Sequence, residues 1–406
     1  MSKKKFILFV ILYALFNICV NVAHPVTPDY VRSLELSEIF FGLFYAFMAL
    51  GQVTGAILSG FLSDKYGRKW FIVGGTLGYC LSQAGFAYLN QYVGVILLMR
   101  FLSGLFAGAP LTLFISMCLD FSKGNKIKNL SIMTFANTLG AALAYEIGGD
   151  FYDYAHFSIQ QVFLVQIVIG IITALTFALF IKEAPKELNE NETQVQSTSK
   201  FSLKNFKNLN PLIYLLFVCL FIMTAGQILT NKYLDNYLTS INFDVSMLGH
   251  YICITGIIAA VSNLLIIPFI KKVKDNKLAV LLTTFVGISA AAIIITFTVK
   301  VDNILYLLCT TYLIYLILKS LITALEQNEF ASYSRDGNNG QIMGARQTML
   351  SIGNVIAPLI GTAAYVDGSP SIFIISGSIM FGSLILYIVY FLIKAHKLNN
   401  LKNTEK

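Results

Sequence analysis

Arg100, Glu146, Lys319 and Glu326 are ionisable side chains that stand inside long apolar stretches of this chain. A charge in such a setting is costly, so it marks an ion pair, a substrate contact or a proton relay. A carboxylate can take up and release a proton, and a fixed cation can pair with it or with an anionic solute. Covalent chemistry finds no comparable set. The chain has no helix-borne zinc-ligand pair, no G-x-S-x-G elbow, no paired aspartates in facing spans and no phosphate-binding P-loop. The expectation is a protein that is not an enzyme and uses no cofactor or metal.

Polar residues accompany these charges at helical spacing. Tyr13, Asn17, Asn21, His24 and Pro28 recur on one face of the first apolar stretch. Thr224, Gln227, Asn231 and Asp235 do the same in the seventh, and Tyr312, Tyr315, Lys319, Thr323 and Glu326 in the tenth. Arg100, Ser103, Ala107 and Cys118 form a weaker stripe in the fourth. Every third stretch thus carries a wet face. Such faces either converge to line a polar cavity or glue neighbouring helices together. Glu146 lies off the small-residue seam Gly140, Ala144 and Gly148, so packing does not explain it. It either faces the cavity as a proton carrier or sits hydrated near the headgroups beside Asp150 and Asp153.

The elements that must position these groups follow from composition. The 406 residues are 56% hydrophobic and 12% charged, whereas soluble domains carry about 25% charged residues. Apolar blocks of about 18–25 residues fit a hydrocarbon core of roughly 30 Å, which only self-satisfied helices can cross here. The spans are expected at 6–30, 38–62, 70–89, 92–119, 128–150, 160–182, 210–235, 247–270, 278–299, 303–327, 342–365 and 371–394. The basic cluster Lys3, Lys4 and Lys5 followed by an apolar run resembles a signal peptide, but its length favours a retained first span. The stretch 183–207 is polar and lacks an apolar face, so it reads as a linker between bundles at 1–182 and 208–406.

Basic residues test this arrangement. They crowd alternate loops, at Lys65 to Lys69, Lys123 to Lys128, Lys182 to Lys207, Lys271 to Lys277, Arg335 to Arg346 and both termini. The opposite side holds only Arg32, Lys232 and Lys300. This bias puts both termini and the linker in the cytoplasm, and it explains the net charge of +8 without a nucleic-acid partner. The six cysteines lie in apolar blocks and read as small hydrophobes, with no disulfide framework.

One loop carries a recognisable pattern. Gly60-Phe-Leu-Ser-Asp64-Lys65-Tyr-Gly67-Arg68-Lys69 resembles in full the G-x-x-x-D-[RK]-x-G-[RK]-[RK] signature of the major facilitator superfamily. Arg100, Gly104 and Gly108 resemble the fourth-helix R-x-x-x-G-x-x-x-G of that family, and Pro25 to Pro28 the P-x-x-P of its twelve-helix drug–proton antiporters. Gly140-x-x-x-Ala144-Tyr145-x-x-Gly148-Gly149 recurs as Gly353-x-x-x-Ala357-Pro358-x-x-Gly361-Thr362, as a duplicated chain requires. Ala144 and Tyr145 depart from the Gly-Pro that antiporters carry there.

The resemblance implies an all-α membrane protein with twelve spans in two pseudo-symmetric six-helix bundles. It implies a monomeric transporter of the inner membrane, driven by a proton gradient, which exports a drug or amphipathic metabolite by alternating access. Import or exchange of an anionic or zwitterionic metabolite is the alternative. It also implies a cytoplasmic gate of Gly60, Asp64, Gly67, Arg68 and Lys69, in which Asp64 meets Arg346 and Arg68 meets Asp120. Proton or substrate coupling is expected at Glu146, Lys319, Glu326 and Arg100. Tyr13, Asn17, Asn21, His24, Gln227, Asn231, Tyr312, Tyr315 and Thr323 are expected to line the cavity.

Overall fold

A computed structural model describes residues 3–37, 39–121, 126–183, 211–270, 275–301, 303–333, 339–366 and 368–404. The expected linker lies outside these residues except for Glu183. Among the described residues the regular structure is helical, without strands: α1 (Lys3–Asn21), α2 (Thr27–Ser33), α3 (Ile39–Tyr66), α4 (Lys69–Tyr88), α5 (Val93–Phe121), α6 (Lys126–Asp153) and α7 (Ile159–Phe180). There follow α8 (Pro211–Ser240), α9 (Val245–Ile270), α10 (Asp275–Thr298), α11 (Leu305–Leu307), a π-helical turn (Leu308–Tyr312), α12 (Leu313–Ser332), α13 (Asn339–Ala364) and α14 (Ser371–Thr404). Among the described residues nine helices are long and apolar enough to cross a membrane. The more polar α4, α6 and α13, of 20, 28 and 26 residues, match the remaining expected spans in length.

Two sequence expectations need correction. The first span is not one helix, because α1 stops at Asn21 and α2 begins at Thr27. Pro25 lacks an N–H and its ring would strike the carbonyl one turn back, whereas Pro28 fits the first turn of α2. The face expected from Tyr13 to Pro28 is therefore split, with His24 in the turn between its parts. Lys232, counted with the charges of the opposite side although the expected span 210–235 contains it, lies well inside α8, which continues to Ser240.

The chain forms two compact units. The first joins Met1–Lys186 with Lys232–Ala260 and Pro358–Gly368. Lipid supplies little hydrophobic drive between helices, so close van der Waals packing must hold them. On α5, a Cβ on Gly104 would stand 1.9 Å from the Met48 carbonyl oxygen, and one on Gly108 would stand 2.5 Å from that of Gln52. That is the packing reason for the fourth-helix glycine pattern. Gly140 and Gly148 of α6 likewise seat against the Ala14 and Val22 carbonyls. The second unit joins Glu187–Asn231, Val261–Ala357 and Ser369–Lys406. There the Phe297 ring of α10 stacks on Phe373 of α14 at 3.6 Å.

Candidate functional site

In the first unit, the turn after α1 places His24 against two tyrosines. Its ring runs nearly parallel to Tyr45 of α3 at 5.7 Å and to Tyr145 of α6 at 6.2 Å. His24 Nδ1 is 3.1 Å from the Tyr45 hydroxyl. The Tyr145 hydroxyl donates to Asp235 Oδ2 at 2.8 Å, and Asp235 is only 2% exposed. Lys232, one helical turn earlier on α8, holds its ammonium 4.5 Å from the centre of the Tyr45 ring. Aromatic faces, a carboxyl, an imidazole and an ammonium thus meet in one place. Such a cluster can shelve a flat organic solute and couple its charge to a proton.

Arg100 of α5 is 5% exposed and lies flat over Phe86 at 3.7 Å, with Phe44 at 5.7 Å. Among the described residues it forms no ion pair, and its Nε makes no hydrogen bond. Ring faces therefore stabilise this cation. Tyr13 and Asn17 of α1 receive Asn137 of α6, whose amide donates to the Tyr13 hydroxyl at 3.2 Å and to Asn17 Oδ1 at 2.8 Å. Asn21 turns back onto the Asn17 carbonyl.

The signature loop forms a compact staple. Gly67 has φ +92°, and a Cβ there would meet the Glu183 carboxylate at 2.9 Å. Glu183, just beyond α7, accepts from the Arg68 and Lys69 backbone N–H groups at 2.9 and 2.8 Å. The carboxylate thereby caps the positive end of α4. The Arg68 guanidinium pairs with Asp120 of α5 at 2.5 Å. Lys69 lies over the ring of Trp70, while Gly60 has open space where a Cβ would be. The Asp64 side chain lies outside the described residues.

In the second unit, Tyr312 and Tyr315 are buried with ring centres 5.2 Å apart. The Tyr315 hydroxyl donates to Asn231 Oδ1 at 3.4 Å, and the Asn231 amide reaches the Gln227 carbonyl. Lys319 and Thr323 are half-buried further along α12. Glu326 is 4% exposed and accepts from the Tyr387 hydroxyl of α14. Arg346 of α13 is buried too, with its charge acting on Glu326 and Tyr387. One turn beyond Glu326, Glu329 accepts from Tyr390 and pairs with Lys394 at 2.6 Å.

Glu146 is the sequence candidate that stands apart. It is half-buried on α6 and faces His250 of α9 and Asp150. Sequence reasoning left Tyr45, Tyr145 and Lys232 out of the site, and noted Asp235 only as part of a stripe. The signal for Tyr145 was present: it occupies the position where the antiporter pattern has proline.

Comparison with known proteins agrees with this architecture. The family profile described as Major Facilitator Superfamily matches residues 9–330. Multidrug resistance protein 2 of Bacillus subtilis is 24% identical over 374 residues, covering 90% of each chain. The quinolone resistance protein NorA of Staphylococcus aureus is 25% identical over 372 residues, again with 90% coverage of both. Among solved structures, the nucleoside transporter NupG superposes with a TM-score of 0.77 at 13% identity, covering 95% of this chain and 100% of its own. The inward-open xylose transporter XylE from E. coli gives 0.72 at 15% identity and 94% coverage of both.

Proposed function

We propose, because the chain belongs to the major facilitator superfamily, that it is a proton-coupled exporter of small amphipathic organic solutes. The coarser statement is plain: it is a multi-pass membrane transporter that moves a small molecule across the bilayer and performs no covalent step. Exporter and proton coupling are our reading. The observation that carries it is the Asp235 carboxyl held by Tyr145 beside the His24 and Tyr45 rings. An ionised carboxyl withdrawn from water is costly unless paired, so solute and proton compete for it. Two relatives named for multidrug and quinolone resistance support the direction and the solute class.

In this reading Asp235 exchanges proton for solute, and Tyr145 and His24 orient it. Glu326, as deeply buried, is the second proton group, and Arg100 and Lys232 are fixed cations. The distribution of basic loops supports the cytoplasmic membrane with both termini inside. A single chain suffices for each step. Everted vesicles with an imposed acid interior, supplied with a quinolone or a cationic dye, test the proposal. Accumulation that a protonophore collapses is the expected result. Accumulation that ignores the proton gradient, or that appears only in right-side-out vesicles, overturns it.

A second reading is import of an anionic or zwitterionic metabolite. It is favoured by two cations, Arg100 and Lys232, in a unit whose buried site offers one carboxyl. The vesicle orientation that accumulates solute separates the two readings.

A further inference from the structure

The cluster around Glu146 is chemically unlike the site above. Glu146 and Asp150 are one turn apart on α6, so their carboxylates share a face. His250 reaches them from the first turns of α9. Its Nδ1 lies 3.0 Å from Glu146 Oε1, its Nε2 lies 3.8 Å from Asp150 Oδ1, and one ligand atom from each residue falls within 4.8 Å of the others. Two ligands about 2.0–2.1 Å from a tetrahedral zinc ion stand roughly 3.3 Å apart. One imidazole gives one nitrogen to an ion, so the relevant measure is the 4.8 Å within which one ligand atom of each residue falls, wider than that spacing and close enough to converge on a shared ion.

A second observation points the same way. Asp150 Oδ1 and His250 Nδ1 are shut off from solvent and make no hydrogen bond. Buried polar atoms that make no hydrogen bond are uncommon, and an ion that several of them ligate is one cause; here each faces an ionisable group of the same cluster.

The surroundings hold the three residues in place. Asp153 Oδ2 accepts from the Ser246 N–H at 2.6 Å, fixing the end of α6 to the start of α9. A Cβ on Gly249 would come within 2.4 Å of the Tyr145 carbonyl oxygen, so the helices nearly touch beside His250. Cys253, one turn after His250 and 7% exposed, lies beside Glu146. The Tyr154 ring lies over His250 at 6.3 Å and 28°. Partners that orient ligating groups commonly change metal affinity 10–100-fold.

We infer that Glu146, Asp150 and His250 form a binding site for a divalent first-row transition metal ion, zinc foremost, which clamps α6 to α9. One imidazole with two carboxylates suits zinc and its neighbours and disfavours magnesium. The site lies at helix ends and is half-exposed, so an ion can enter from water. It is independent of the proposed solute and its direction.

The test uses the full-length, tag-free protein in detergent, titrated with Zn²⁺ against a chromophoric chelator. The expected result is one tightly held ion per chain, weakened at least about tenfold in His250→Ala and in Asp150→Asn. Zn²⁺ should raise the unfolding temperature of the parent protein and leave that of His250→Ala unmoved. A tenfold excess of Mg²⁺ should not displace the ion. Absence of stoichiometric binding to the parent protein overturns the inference, and that result needs no variant to fold. Binding that persists undiminished in a monodisperse His250→Ala protein overturns it too, because the ion then sits elsewhere, for instance on one of the other three of the four histidines.

Discussion

The Tyr145 hydroxyl donates to the Asp235 carboxylate at 2.8 Å, across 90 residues of sequence. The same ring lies parallel to His24 at 6.2 Å. Tyr145 therefore touches both the acid and the base of the cluster. The residue that looked like a defect in the antiporter pattern is the one that assembles the site.

Replacing Tyr145 by Phe keeps the ring on His24 and removes the hydroxyl. A hydrogen bond to a charged group contributes about 1.5–3 kcal/mol. Proton-driven transport should fall by about ten- to a hundredfold, as read in vesicle accumulation, with little change in unfolding temperature. Asp235→Asn should abolish driven accumulation and spare exchange of labelled for unlabelled solute. A parental driven rate in both variants would dismiss the cluster as the coupling site.

The signature loop is open to a stability test. Gly67 sits at φ +92° with the Glu183 carboxylate against it. Gly67→Ala introduces left-handed strain and a clash, together costing about 1–3 kcal/mol. Glu183→Ala removes only an exposed helix cap, costing about 1 kcal/mol or less. Thermal unfolding of the two purified variants should rank them in that order, and the reverse order would remove the strain argument.

The contact of α6 with the turn after α1 depends on Gly148, where a Cβ would lie 2.0 Å from the Val22 carbonyl oxygen. Backbone cannot move aside as a flexible side chain can. Gly148→Ala should destabilise by about 1–3 kcal/mol, seen as a lower unfolding temperature. Gly74→Ala, on α4 with nothing near its Cβ, should be close to neutral. Equal effects would mean that the seam does not hold the helices.

Glu329 is 1% exposed and depends on Lys394 at 2.6 Å and on Tyr390. Removing one member of a buried pair leaves a charge without compensation. Lys394→Met should therefore cost about 3–5 kcal/mol, whereas the double variant Glu329→Leu with Lys394→Met should recover most of it. A double-mutant cycle by thermal unfolding reads the coupling, and additivity of the two changes would refute it.

Much of the fold was legible because the bilayer imposes strict rules. Hydrocarbon thickness sets helix length, so among the described residues eleven of the twelve expected spans fall on continuous helical segments, and the first is split in two. The misreadings have local causes. Lys232 was counted with the outer charges, yet its long stem lets the ammonium rest over the Tyr45 ring while its backbone stays helical. Helical periodicity ran the first span through to Pro28, where proline breaks the chain after Asn21. The position of Arg100 over Phe86 is a contact that spacing along α5 does not reveal.

What the sequence determined by itself was the solvent, the helices and the face each polar residue occupies, since these depend only on composition and on spacing along one helix. Which faces meet was decided by the tertiary structure. Tyr145 with Asp235, His250 with Glu146 and Glu183 with the start of α4 join residues that periodicity cannot relate. A spacing fixes an angle about its own axis and carries no information about the helix packed opposite.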